Sequence, residues 1–178
     1  GDHLLMCDSA YYPTRKFCNK ILARFGVETT YYDPMIGGDI ATLIRPETRV
    51  VFVESPGSLS FEVQDVPAIA KAAHEAENDP GIIVIMDNTW SAGLYFQPFE
   101  HGVDVSIQAA TKYIVGHSDA MLGTVTANAE NLEALQDVSY GLGYAAGPND
   151  IYLGTRGLRT IGVRLRQHMV SGLTVARW

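Results

Sequence analysis

Short apolar runs alternate with longer segments of helical period along this chain, and that alternation is what most constrains its fold. Runs at Leu4–Cys7, Thr29–Tyr32, Val50–Glu54, Ile82–Met86, Val103–Gln108 and Leu122–Ala127 are mostly rich in β-branched or aromatic side chains, which predicts strands. Several lack polar alternation and read as buried on both faces, the mark of a parallel sheet covered by helices. The expected fold class is therefore α/β, a three-layer α/β/α arrangement around a mostly parallel sheet.

The segments between these runs supply the helices. Pro13–Phe25 places Phe17, Ile21, Leu22 and Phe25 on one predicted face, with Gly26 where the helix would stop. Val66–Ala76 repeats the pattern through Val66, Ile69, Ala70 and Ala73, with Asp65 as cap and Pro67 in the first turn. Leu132–Leu142 is a weaker helix. Asn149–Trp178 is a long helical pattern in which Gly154, Gly157 and Gly162 predict breaks.

Charge and motifs exclude several classes of function. Thirteen Lys and Arg stand against 20 Asp and Glu, a net charge of −7, so a nucleic-acid backbone would be repelled on average. No apolar run approaches the roughly 18–20 residues of a membrane-spanning helix. Cys7 and Cys18 make no disulfide framework, and no secretory leader precedes the first strand, which predicts a cytoplasmic protein. No Gly precedes any of the four lysines, so the phosphate loop of ATPases is absent, and Gly141, Gly143 and Gly147 miss the dinucleotide spacing. The five histidines are scattered and no metal site is expected. Ser55–Ser58 lacks the elbow of a serine nucleophile and reads as a turn. Arg156, Arg159, Arg164 and Arg166 read as a solvated or salt-bridged face.

Chemistry concentrates between Ile82 and Asp119. Asp87 ends the apolar strand in IIVIMDNTW, and Lys112 follows the next strand in VSIQAATKYIVGHSD. Ligands of parallel sheets collect beyond the carboxyl ends of the strands, so this carboxylate and this amine can face one crevice. An acid that keeps a pyridine nitrogen protonated and a lysine that forms a Schiff base are the two groups a pyridoxal 5′-phosphate (PLP) enzyme must supply. The same two residues also fit blander roles, Asp87 as the cap of a following helix and Lys112 as a surface charge.

At these residues the chain resembles the Cys/Met-metabolism family of PLP enzymes of fold type I, and its loops look most like those of the bacterial cystathionine β-lyase members. The resemblance runs through GDHLLMCDSAYYPTRKFC, VVFVESPGS, MDNTW, ATKYIVGHSD and TRGLRTIGVRLRQH, and so covers nearly the whole chain. IQAATKY and ESPGS differ from the SATKY and ESPxNP patterns usual in γ-lyases and γ-synthases.

That resemblance implies a PLP-dependent transferase-like large domain, with residues 1–178 as its central part and a C-terminal domain and an N-terminal segment outside the chain. It implies that Lys112 joins the cofactor covalently and later acts as base, that Asp87 pairs with the pyridine nitrogen, and that Tyr11 stacks on the ring near the substrate amine. Ala109 stands where many relatives have a phosphate-binding Ser, so Thr111 alone inherits the phosphate role from this loop. Ser58 stands where many relatives have an Asn near the substrate carboxylate. The resemblance implies a glycine-led phosphate loop before this segment, a substrate-carboxylate Arg after it, and Tyr and Arg side chains from a neighbouring subunit. The activity implied is β-elimination on L-cystathionine, a sulfur amino acid, giving homocysteine, pyruvate and ammonia for methionine biosynthesis. Cystathionine γ-lyase, γ-synthase or methionine γ-lyase chemistry uses the same lysine and aspartate and stays open, as does a non-catalytic fragment or binding module. A homo-oligomer, a tetramer, is expected, and this stretch alone is expected to be inactive.

Overall fold

The computed structural model describes all 178 residues. Six strands form one sheet in the order β2-β1-β3-β4-β5-β6: β1 is His3–Cys7, β2 Glu28–Tyr32, β3 Thr48–Glu54, β4 Ile83–Asp87, β5 Val105–Gln108 and β6 Thr124–Ala127. The first five run parallel, and β6 closes the edge antiparallel to β5. Helices α1 (Tyr12–Lys20), α2 (Val66–His74), α3 (Ala129–Gly141), α4 (Pro148–Leu158) and α5 (Ile161–Arg177) flank it, giving the expected α/β architecture. No helix is long and apolar enough to cross a membrane.

Burial explains the central strands. All five residues of β1 are buried, as are Val51, Phe52 and Val53 of β3 and Val84 and Met86 of β4. Each such side chain contributes about 1.5–3 kcal/mol by leaving water, and only a sheet covered on both faces can use a continuous apolar run in this way. Helix α2 buries the four expected residues Val66, Ile69, Ala70 and Ala73, and the Asp65 carboxylate accepts the Ala68 N–H at 3.1 Å.

Three expectations about helices need correction. The segment from Pro13 to Phe25 is not one helix: α1 ends at Lys20, a 3₁₀ turn takes Leu22–Phe25, and Gly26 at φ 80° makes the stop. The tighter turn breaks the 3.6 period. Phe17, Ile21 and Phe25 are exposed, Leu22 packs partly against the core, and Cys18 is the residue α1 buries. Helix α3 starts before Leu132, because the Asn128 side chain accepts the Asn131 N–H and caps it. The C-terminal pattern breaks at Arg159–Thr160 rather than at its glycines, which lie inside α4 and α5. Gly157 serves a close approach instead, since a Cβ there would collide with the Ile114 and Val115 carbonyls. Arg164 completes that junction, donating to the carbonyls of Tyr113 at 2.7 Å, Ile114 at 3.2 Å and Gly157 at 2.8 Å. In the arginine cluster expected to be solvated or salt-bridged, Arg156 pairs with Asp119 at 3.6 Å, whereas Arg164 is a structural tie.

The same contact yields a paired prediction for unfolding of the protein that carries this chain. Gly157→Ala forces backbone apart and costs about 1–3 kcal/mol. Gly172, an exposed helical glycine with open space around it, behaves oppositely. Gly172→Ala adds up to about 1 kcal/mol of helix stability. Denaturant unfolding of both variants checks the signs; a tolerated alanine at Gly157 would mean that α4 does not seat on residues 114–115.

Candidate active site

A doubly wound sheet has a crevice where consecutive crossovers leave in opposite directions. Here β1 lies between β2 and β3, so that point falls at the carboxyl ends of β1 and β3. A cavity of about 1000 Å³ opens at this end of the sheet. Tyr11 enters it from the loop after β1, Ser58 from the loop after β3, Asp87 from the end of β4, and Thr111 and Lys112 from the turns after β5. The four residues expected to carry the chemistry, Tyr11, Asp87, Thr111 and Lys112, therefore share one cavity.

Asp87 is held by its own turn. Its Oδ1 accepts the Thr89 N–H at 3.0 Å and the Thr89 hydroxyl at 2.6 Å. The Thr89 oxygen in turn accepts the Ala109 N–H at 2.8 Å, tying the end of β4 to the segment that carries Lys112. No helix begins at Asn88, so the capping role for Asp87 is excluded; turns follow instead, and buried Asn88 accepts from Ser91 at 2.5 Å.

Lys112 sits in consecutive turns rather than a helix. Its N–H donates to Ala109 O at 2.9 Å, and its carbonyl accepts from Gly116 N at 2.9 Å. Buried Ala110, Ile114 and Val115 anchor the segment while the lysine side chain stays exposed. Thr111 Oγ1 accepts the Leu122 N–H at 2.8 Å and donates to Leu122 O at 3.2 Å. Tyr11 precedes α1 with 54 % of its surface exposed, so its side chain is not part of the core.

The sequence reading missed Glu54. It is 3 % exposed and lines the cavity, and the parallel register sets it directly beside Asp87. Its Oε2 accepts the Tyr11 N–H at 2.8 Å and its Oε1 accepts the Ser58 hydroxyl at 2.7 Å. Burial pushes the carboxyl above its ordinary range, the two hydrogen bonds oppose that, and the Asp87 charge adds to it. The available signal was a charge ending the apolar run VVFVE. Trp90, in edge-to-face contact with Phe61 at 5.3 Å, was also missed; it lies on the cavity wall.

The model of the Cys/Met metabolism PLP-dependent enzymes matches residues 1–178. The chain belongs to that family. Cystathionine β-lyase of Haemophilus influenzae is 51% identical over 178 residues, covering 100% of this chain and 44% of that protein. Cystathionine β-lyase MetC of Escherichia coli is 52% identical over 178 residues, again 100% of this chain and 45% of the relative. The crystal structure of metB from Corynebacterium glutamicum superposes with a TM-score of 0.85 at 30% identity, over 92% of this chain and 42% of that one. The chain thus spans less than half the length of these relatives. PLP is the cofactor of this Cys/Met-metabolism family, and the cavity's donor set fits it: an amine, a carboxylate, a hydroxyl and an aromatic ring converge there.

Glu54 gives the site a pH signature. Its folded-state proton affinity is raised, so the stability tied to it is fully present below the unfolded carboxylate pKa of about 4.3 and falls as pH rises through the folded value. Glu54→Gln removes that loss. Urea unfolding at several pH values should show the Gln variant gaining on the parent as pH rises from about 4 toward neutral. A difference that stays flat or moves the other way contradicts the burial assigned to this carboxylate.

Proposed function

We propose that residues 1–178 form the central part of the cofactor domain of a PLP-dependent carbon–sulfur lyase that performs β-elimination on L-cystathionine. The observation that carries this reading is the meeting of Asp87, Lys112, Thr111 and Tyr11 in one cavity at the carboxyl ends of the strands. Relatives about half identical to the chain and named cystathionine β-lyase support the substrate. The working enzyme is proposed to be a cytoplasmic homotetramer whose remaining segments and neighbouring subunits complete the site.

Bound PLP supplies an electron sink for the charge left on the substrate α-carbon when its proton departs. The chain's residues do the rest. Lys112 Nζ would hold the cofactor through its aldehyde carbon and, when free, would serve as the base that takes the substrate α-proton. The Asp87 carboxylate keeps a proton on the pyridine nitrogen by charge attraction, with Oδ1 already oriented by Thr89. Thr111 contributes a hydroxyl to the phosphate. That hydroxyl hydrogen turns from Leu122 O, whereas the 2.8 Å bond from Leu122 N to the same oxygen can persist. The Tyr11 ring would cover the cofactor face, with its phenol available to the substrate amine. The electron pair left at the α-carbon becomes the α–β double bond as the sulfur leaves the β-carbon with its bonding electrons, and the proton that Lys112 took makes that sulfur the thiol of homocysteine. Addition of water to the remaining three-carbon unit gives pyruvate and ammonia.

Two measurements on the protein carrying this chain test the proposal. Incubation with L-cystathionine should release pyruvate and homocysteine together; 2-oxobutyrate with cysteine would instead identify γ-elimination. Borohydride reduction followed by peptide mass spectrometry should find the pyridoxyl group on Lys112. Finding it on Lys16, Lys20 or Lys71 would refute the site.

A further inference from the structure

We infer that Glu54 is a positioning residue, which seats the Tyr11 ring for cofactor binding by gripping the Tyr11 main chain and the Ser58 loop at once. The inference rests on the proposed role of Tyr11 as the ring that covers PLP, and it goes beyond the four residues assigned to the site.

Buried carboxylates are normally paired with a cation. Glu54 is 3 % exposed and forms no ion pair, and both its oxygens are taken by neutral donors from two different loops. Tyr11 stands at the N-cap position of α1 with no side-chain cap of its own. Its own N–H lies ahead of the helix ladder and is held from the sheet side by Glu54. The second loop is stitched to the first independently, because Ser58 N donates to Ser9 O at 2.9 Å. Behind Glu54, Gln64 Nε2 donates to the Glu54 carbonyl at 2.8 Å, and Tyr32 OH donates to Gln64 Oε1 at 3.2 Å. The carboxylate thus projects from a rigid strand end and reaches both loops, in addition to the direct backbone bond between them. A loop residue whose ring must lie against a planar ligand gains most from such a tether, since the ordering is then complete before the ligand arrives.

Side-chain chemistry separates geometry from charge. Gln keeps both contacts, its carbonyl accepting from Tyr11 N–H and its amide donating to the Ser58 oxygen. Asp keeps the charge but is one methylene short of spanning the two loops. Ala loses everything.

The test is PLP affinity of the protein carrying this chain, measured by visible absorbance and fluorescence titration. The parent, Glu54→Ala, Glu54→Asp and Glu54→Gln are compared, each with Tyr11 intact and with Tyr11→Ala. Loss of hydrogen bonds to a carboxylate predicts about tenfold weaker PLP binding for Glu54→Ala and Glu54→Asp, while Glu54→Gln stays within about threefold of the parent. In the Tyr11→Ala background the Glu54 substitutions should change affinity by less than about twofold, because the ring they position is gone. Glu54→Asp keeps the test valid if the alanine variant does not fold. Penalties that add fully to that of Tyr11→Ala, or parent-like affinity in Glu54→Asp, would overturn the inference while leaving the site reading intact. Failure of the parent itself to take up PLP would overturn the site reading.

Discussion

The parallel register of β3 and β4 sets Glu54 beside Asp87, and the Asn88 N–H donates across to Ile107 O at 2.8 Å, so the end of β4 is fixed by both of its neighbours. Every other part of the site refers to that point. Thr89 leaves it to grip Asp87 Oδ1 and the Ala109 N–H, which sets the start of the turns holding Lys112. Glu54 leaves it in the other direction to reach Tyr11 and Ser58. A backbone ladder with no freedom to slip therefore positions an amine, a phenol and two carboxylates drawn from four separate loops or strand ends.

Two acidic groups side by side at a buried strand end carry an electrostatic cost, which neutral donors reduce. The donors differ: Asp87 receives the hydroxyl and N–H of its own turn, whereas Glu54 receives an N–H and a hydroxyl from distant loops. The consequence is a division of labour, with Asp87 placed for a ligand and Glu54 committed to the scaffold. Lys112 has no anionic partner among the salt bridges, so its amine is free to engage a carbonyl compound.

Much of this was legible in the sequence because strong local signals coincide with burial. The six strands follow β-branched and aromatic runs, and α2 follows a periodic apolar face with a capping aspartate. Asp87 and Lys112 stand out because strand ends in a parallel sheet converge. The failures have equally definite causes. Phe17, Ile21 and Phe25 carry an apolar period but α1 turns Cys18 to the core, so hydrophobicity marked a face the sheet does not use. Gly154 and Gly157 looked like helix breakers, yet they accommodate Leu122 and the 114–115 backbone across the helix surface. Glu54 was overlooked because its meaning depends on register with Asp87 and on contacts to residues 11 and 58, none of which a local window contains.

The account stands on the charge of Asp87, more than on its shape. Asp87→Asn in the protein carrying this chain preserves size and most hydrogen-bonding capacity while removing the negative charge. Steady-state kinetics with L-cystathionine at saturating PLP decides the matter. The account predicts that kcat falls about a hundredfold to a thousandfold, a loss of about 3–4 kcal/mol in the transition state, with KM changing far less. A variant with the kcat of the parent would contradict it.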